Sequence, residues 1–246
     1  IGRFFVIHDA QATRDSTRLK TYEFLHATFG EYLIARLVTR ELADLVDTAT
    51  RSATRSRPAP PDDAFLHALL SFAPLTLRGT VVSFLSDRLR MLASAERNVL
   101  CGVLLDLFHH SLMPRHETSY ENYQPYQISL PSRPAHYSAN LVLLAVLAAG
   151  EVTGKQLFPQ SIQPVQDWRR LASLWRSQLP ENGWDNFVET FELHRGWDDD
   201  HRLPADWLSN VIRRIKDVGG RADIEGPELV RIARENLPEL MFADPW

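Results

Sequence analysis

The sequence predicts a mainly α protein that opens with a β-hairpin and continues as a multi-helix, non-regular bundle or array. Strand-like runs stand at the start of the chain, and apolar residues at helical spacing recur along most of the remaining sequence. With 246 residues, of which 44% are apolar, the chain can build one large or two small domains. The sequence contains no repeat of fixed period, so a regular solenoid is not expected.

The β-hairpin is predicted from the first 25 residues. Residues 3–8 and 19–25 are the predicted strands, and the Thr-, Ser- and Asp-rich residues 9–18 are predicted to connect them as a loop. Thr28 stands three residues before Glu31, which is the spacing of a capping box and predicts that a helix starts at Thr28.

Five segments describe the predicted organisation. Residues 1–47 hold the hairpin and the first helix, and a linker follows at 48–61. A helical subdomain (62–115), a loop rich in Pro and Tyr (116–135) and a C-terminal helical subdomain (136–246) complete the chain. Asp62 or Asp63 is predicted to cap the first helix of the helical subdomain. In the C-terminal subdomain one buried and four amphipathic helices are predicted, at Ser138–Ala149, 164–178, 184–194, 205–217 and Pro227–Glu235.

Charge, cysteine content and hydropathy argue against several classes of protein. The net charge of −4 is unlike that of a nucleic-acid-binding domain, which is usually basic. Cys101 is the only cysteine, so no internal disulfide can form, which suits a reducing cytosol. The longest apolar run, Leu141–Ala149, has nine residues and is too short to span a bilayer. We therefore expect a cytoplasmic protein without nucleic-acid or membrane partners.

The segment Gly150–Gln156 is the nearest approach to a phosphate-binding loop. It has three residues between its glycines where a Walker A motif needs four, Gln156 replaces the Ser or Thr that would bind magnesium, and the segment comes after a helix. We therefore predict a helix-ending turn.

The histidine cluster offers the densest group of possible metal ligands: His109, His110, His116 and Glu117. Neighbouring residues on a helix point about 100° apart, so His109 and His110 cannot easily share one ion, and surface histidines near a helix end are expected instead of a metal site. A metal enzyme built on this cluster remains the weakest alternative. Asp198–Asp200 lacks the spacing of a calcium loop and is predicted to be solvated.

Cys101 and five tryptophans are predicted to pack in the core. Cys101 has apolar neighbours in a helix. The tryptophans are expected in helix–helix contacts, and a groove for a peptide or partner is the alternative: Trp168, Trp175, Trp184, Trp197 and Trp207.

His26 stands where the extended residues 19–25 turn into a helix. An imidazole at such a junction can donate a hydrogen bond to a phosphate oxygen, or it can simply help to cap the helix. Spacing alone leaves both interpretations open.

The segment Tyr22–Ala35 resembles a run in NACHT-type members of the STAND class of signalling P-loop NTPases. The family pattern is close to aromatic-x-Phe-Leu-His-x-Thr-Phe-x-Glu-Tyr-Leu-x-Ala, and most of these positions match. The resemblance covers these 14 residues strongly and residues 1–47 in architecture, and a looser resemblance extends to Tyr137–Gly150 and Leu174–Trp184.

The resemblance implies that residues 1–47 are the end of a winged-helix domain, downstream of an ATP-binding core. His26 would match the histidine that contacts the β-phosphate of ADP in the resting state. Phe24, Phe29 and Tyr32 would be packing residues that hold His26 in place. Gly30 departs from the family's commoner Gln, which lowers helix propensity slightly.

The resemblance also implies a regulatory fragment that is not itself an enzyme, because the sequence lacks Walker A and Walker B motifs. ATP or ADP with magnesium is expected in the full-length parent and no cofactor in this fragment. Expected partners are the upstream nucleotide-binding domain of the same polypeptide and a protein trigger, with oligomerisation on activation in bacterial signalling or antiviral defence. The start at Ile1, close to the strand-like Phe4, suggests that the true N-terminus is upstream. The alternative is a free-standing helical adaptor that binds a protein or peptide.

Overall fold

The protein is mainly helical, as predicted. A computed structural model describes residues 7–14, 17–24, 27–53, 62–113, 115, 119–120, 122–162, 164–193 and 211–213. The predicted helix Pro227–Glu235 and most of the predicted helix 205–217 lie outside these residues. The division of the chain into domains remains a prediction.

Strands β1 (Ile7–Arg14) and β2 (Thr17–Phe24) pair antiparallel, from Ile7 opposite Phe24 to Arg14 opposite Thr17. Two residues separate the strands, so the prediction that residues 9–18 form a loop is wrong for residues 9–14 and 17–18. A two-residue connection suffices for a hairpin, and backbone pairing does not require an apolar face. Polar content alone was therefore a poor guide to the loop.

Helix α1 (Ala27–Ala53) has 27 residues and extends six residues into the predicted linker. It begins before Thr28, so Thr28 is not its N-cap and the predicted capping box is wrong. The buried residues of this helix are spaced three or four positions apart and form one face: Ala35, Val38, Leu42 and Leu45. This face packs on α3 (Gly79–Arg90) and α4 (Ser94–Ser111).

Helix α5 (Ser132–Ala149) lies at the centre of the fold and confirms the predicted buried helix. All of its residues from Ala135 to Ala148 are buried, because α4 and other helices surround an element that is apolar nearly all round. It begins six residues before the predicted start, so residues 132–135 are helical and not loop. Gly150 ends it with a positive φ of 83°, which confirms the helix-ending turn.

Shorter elements complete the fold. Between α1 and α3 lie α2 (Ala64–Leu70) and a 3-10 turn (Leu75–Leu77). After α5 come β3 (Glu151–Thr153), α6 (Gly154–Leu157), α7 (Pro164–Gln178), α8 (Glu181–Thr190) and β4 (Glu192–Leu193). Helix α7 has the predicted bounds, whereas α8 ends four residues before its predicted end. One hydrophobic core joins buried residues from Ala35 in α1 to Phe191 beyond α8.

Strand β5 (Val211–Arg213) pairs antiparallel with β3 and β4 in a sheet of order β3-β5-β4. The prediction of helix is therefore wrong at residues 211–213. Val211 and Ile212 are β-branched, and pairing with neighbouring strands overrides a weak helical pattern.

No single helix in the described ranges is long and apolar enough to cross a membrane. Two segments joined at a bend of 112°, Ala64–Leu77 and Gly79–Arg90, meet that length and composition only when taken together.

Candidate functional site

The predicted nucleotide-sensing residue, His26, lies outside the described residues. Its neighbours along the chain are described, because β2 ends at Phe24 and α1 begins at Ala27. Phe24 pairs with Ile7 of β1. The segment that resembles the NTPase pattern therefore spans the passage from a hairpin strand into α1, the longest of the described helices.

The two predicted packing residues of α1 are half-buried, and one of them contacts α3. The ring of Tyr32 meets the ring of Phe84 edge-on, with centroids 5.6 Å apart. Phe29 lies three residues earlier, in the first turn of the helix. Farther along, the Nε of Arg88 donates a hydrogen bond of 2.8 Å to the Oγ1 of Thr39. The start of α1 is thus fixed to α3 by contacts between side chains.

Near the C-terminal end of α4, His109 and His110 contact different partners. The Nε2 of His109 lies 3.0 Å from the carbonyl oxygen of Leu157, whereas the Nδ1 of His110 lies 2.7 Å from that of Asp106. The other members of the predicted cluster, His116 and Glu117, lie outside the described residues. Within the described part of the chain, no three His, Cys, Asp or Glu side chains are grouped to hold a metal ion.

The described tryptophans confirm the expectation of helix packing. Trp175 is fully buried, and its Nε1 donates a hydrogen bond of 2.9 Å to the Oγ of Ser138. Trp168 and Trp184 are half-buried and pack against the same core. Cys101 is also buried, as predicted, and burial raises the pKa of its thiol. Trp197, Trp207 and Asp198–Asp200 lie outside the described residues.

A buried polar network around Asp63 joins α2, α5 and Arg115, and no pattern in the sequence predicts it. Arg115 donates two hydrogen bonds to the Asp63 carboxylate, of which the Nη1–Oδ2 bond is 2.9 Å long. The hydroxyl of Tyr137 donates a third, of 2.6 Å. Asp63 occupies the N-cap position of α2 without a capping bond from its side chain, whereas Asp62 accepts a bond of 3.0 Å from the Ala64 amide.

Opposing effects act on the ionisation of this network. Burial would raise the pKa of Asp63, but the hydrogen bonds from Arg115 and Tyr137, together with the positive charge of Arg115, outweigh burial and hold the pKa below its usual value. Burial and the Asp63 carboxylate raise the pKa of Tyr137, so its phenol stays protonated and donates. Asp63 is therefore a charged acceptor with three donors, which suits the joining of elements better than proton transfer.

Two histidines lie near this network. The ring of His67 meets that of Tyr137 edge-on at 4.8 Å, and burial together with the positive charges of Arg115 and Arg133 lowers its pKa to about 4. His136 is 4% exposed, and both of its ring nitrogens lack a hydrogen-bond partner within the described residues. Burial lowers its pKa, although the backbone of Ser71 and Phe72 acts in the opposite direction. Both rings are neutral at physiological pH.

The predicted Pro/Tyr-rich loop packs on α2 and the residues directly after it. Tyr120 contacts Phe65 with ring centroids 5.4 Å apart, and Tyr123 and Tyr126 each contact Phe72 at 5.8 Å. The hydroxyl of Tyr126 donates a hydrogen bond to the carbonyl oxygen of Phe72. The loop tyrosines therefore pack in the fold, and each also keeps an exposed part.

The Asp63 network carries no local sequence signal. Arg115 and Tyr137 are separated by 52 and 74 positions from the Asp63 carboxylate that joins them, and no spacing motif connects residues so far apart. No family model, curated protein or solved structure matches this chain.

Proposed function

We propose that this chain is the regulatory, sensor-side part of a bacterial signalling NTPase of the NACHT/STAND class, and that His26 senses the nucleotide held by an upstream domain of the same polypeptide. The observation that carries the proposal is the order of elements at the motif. β2 ends at Phe24 and α1 begins at Ala27, within the segment Tyr22–Ala35 that resembles the family pattern. An imidazole between these two elements can reach a phosphate bound by a neighbouring domain.

The packing of α1 supports a route from nucleotide to helical region. Tyr32 contacts Phe84 of α3, and the buried face of α1 enters the same core as α4 and α5. The Glu31–Arg78 ion pair of 3.4 Å adds little, because Arg78 is largely exposed. A displacement of the strand–helix junction would therefore carry the helical region with it. Bound ADP would hold His26, and exchange for ATP would release it.

This proposal assigns no catalysis to the chain itself. The upstream domain would bind ATP or ADP with magnesium, residues 1–47 would end its winged-helix domain, and the helical region would restrain it until a protein trigger arrives. Oligomerisation would come next in the full-length, cytoplasmic protein, in bacterial defence or signalling.

The alternative, a free-standing helical adaptor, is favoured by the half-exposed loop tyrosines Tyr120, Tyr123 and Tyr126. Trp175 gives it no support, since this side chain is fully buried. The upstream reading frame separates the two functions. The regulatory proposal expects a Gly-x-x-x-x-Gly-Lys run ending in Ser or Thr, some hundreds of codons before Ile1.

Nucleotide analysis of the full-length protein tests the proposal. The purified protein would be extracted with acid and its nucleotides quantified by ion-exchange chromatography. We expect close to one ADP per chain. A full-length protein that lacks bound nucleotide, and whose reading frame lacks the phosphate loop, would contradict the regulatory function.

A further inference from the structure

Arg133, in the first turn of α5, is a half-buried cation without an acidic partner in the described part of the chain. Its guanidinium carbon lies 4.7 Å from the centroid of the Phe72 ring. Its Nε and Nη2 both donate to the hydroxyl of Ser71, at 3.2 Å. These contacts fix the plane of the guanidinium but do not neutralise its charge.

The surroundings of Arg133 are electrostatically unfavourable for a cation. Burial and the positive charge of Arg115 lower its pKa, yet a guanidinium remains charged at any physiological pH. The positive end of the dipole of α5, an 18-residue helix, adds to the repulsion. Arg115 itself is already paired with Asp63. An anion that contacts Arg133 would relieve this repulsion and would supply the missing counter-charge.

Two tyrosines pack on Phe72, the same phenylalanine that this cation contacts. Tyr123 and Tyr126 pack against the buried ring of Phe72 and are 48% and 49% exposed. The hydrogen bond from Tyr126 to the Phe72 carbonyl fixes its ring in place. Because these side chains are ordered before any partner arrives, binding would cost little conformational entropy. Tyrosine and arginine are also the residue types that dominate binding energy at protein interfaces.

We propose that the Arg133 patch, formed by Phe72, Tyr123, Tyr126 and Arg133, binds an acidic peptide segment of a protein partner. An Asp or Glu carboxylate of the partner would accept hydrogen bonds from the Arg133 guanidinium, and an adjacent apolar side chain would lie on the tyrosines. Within the described ranges the patch offers one cation without a counter-charge, on a chain of net charge −4, which fits one or two carboxylates better than a nucleic acid. The inference stands independently of the nucleotide-sensing function.

Selection from random peptides tests this inference. Random peptides of about 12 residues, long enough to cover one side of a small interface, would be displayed on phage and selected on the full chain. Enriched sequences would be titrated as fluorescein-labelled peptides by fluorescence polarisation. We expect enriched peptides that combine Asp or Glu with an apolar residue. Peptides in which Asn replaces each Asp and Gln replaces each Glu should bind at least about tenfold more weakly to the same unaltered protein.

Variants of the protein locate the site. Arg133→Gln should weaken the selected peptides at least about tenfold, and Arg133→Lys should fall between, since lysine keeps the charge but loses the planar fork. Arg36→Gln, on the exposed face of α1, is the matched control and should bind as the unaltered protein does. Circular dichroism checks that each variant is folded. If Arg133→Gln does not fold, the comparison of the acidic peptides with the Asn and Gln peptides on the unaltered protein still tests the inference.

Four results of the peptide experiments would overturn the inference. The selection could enrich no peptide, or only peptides without acidic residues. The Asn and Gln peptides could bind as tightly as the acidic peptides do, or Arg36→Gln could weaken peptide binding as much as Arg133→Gln does. Binding of a thymidine oligonucleotide as tight as that of the selected peptides would also overturn it, because it would indicate a general polyanion surface.

Discussion

Asp63 illustrates how a single buried charge can join distant parts of this chain. Its carboxylate accepts hydrogen bonds from Arg115 and Tyr137, and the resulting triad connects the start of α2 to α5. When a buried charge loses a hydrogen-bond donor, part of the free-energy cost of its desolvation is no longer offset. The contribution of the Tyr137 donor can therefore be measured by removing its hydroxyl while the ring remains.

Tyr137→Phe should lower the free energy of unfolding by about 1–3 kcal/mol, because it removes one donor from a buried carboxylate while keeping the ring that packs on His67. Urea denaturation measures this change. Tyr123→Phe removes the hydroxyl of a half-exposed residue and should stay within about 0.5 kcal/mol of the unaltered protein. Equal stabilities of the two variants would show that the hydrogen bond from Tyr137 to Asp63 contributes nothing.

Protonation of His67 should make the protein less stable in mild acid. Its pKa falls from 6.5 to about 4 on folding, so between these values the unfolded chain binds more protons. The free energy of unfolding should therefore decrease as the pH falls from about 6.5 to about 4, by up to about 3 kcal/mol from this group. His136 acts in the same direction, whereas Asp63 loses its contribution only below its ordinary pKa of 3.8.

The measurement is chemical denaturation at several pH values between about 7 and about 4.5, a range that covers most of the His67 transition. His67→Gln should show a shallower loss of stability over that range than the unaltered protein does. The same slope in both proteins would place the acid sensitivity elsewhere.

At the scale of elements, the contact between α8 and the 3-10 turn depends on the absence of a side chain at Gly183. A Cβ there would lie 2.9 Å from the Cγ of Pro74, which is too close for two carbon atoms. The same contact holds a hydrogen bond of 3.1 Å from the Nδ2 of Asn186 to the carbonyl oxygen of Thr76. Close approach therefore explains a glycine in the first turn of a helix.

Gly183→Ala should lower the free energy of unfolding by about 1–2 kcal/mol, because the clash with Pro74 outweighs the better helix propensity of alanine. Gly102→Ala is the matched control in α4, where a Cβ would meet nothing within 4 Å. That variant should gain about 0.5–1 kcal/mol. Thermal denaturation measures both, and a stabilised Gly183→Ala would show that α8 moves freely away from the turn.

Elements with strong local patterns could be predicted, and elements made by distant partners could not. Helix α7 and the mostly apolar α5 can be predicted from periodicity, since the spacing of apolar residues within each helix indicates which face is buried. The polar strand residues 9–14 and the strand Val211–Arg213 were missed, because pairing with another strand decides them. The Asp63 network was missed for the same reason, as its members meet only in the folded chain.

At the scale of the whole molecule, one core connects α1 to the later helices. Buried residues of α1 such as Leu42 share this core with Leu104 of α4, Leu144 of α5 and Trp175 of α7. A force applied at the start of α1 would therefore act on the helical region as a unit. This property is required by the proposed function, in which α1 lies between a nucleotide sensor and a restraining region.

Nucleotide retention in the His26→Ala variant of the full-length protein tests the central proposal most directly. One hydrogen bond to a phosphate contributes about 1.5–3 kcal/mol, so we predict that bound ADP leaves roughly ten- to a hundredfold faster. Release of a fluorescent ADP analogue measures the rate, and His110→Ala, which alters an exposed histidine of α4, should match the unaltered protein. Unchanged release from His26→Ala would contradict the assignment of His26 as the nucleotide sensor.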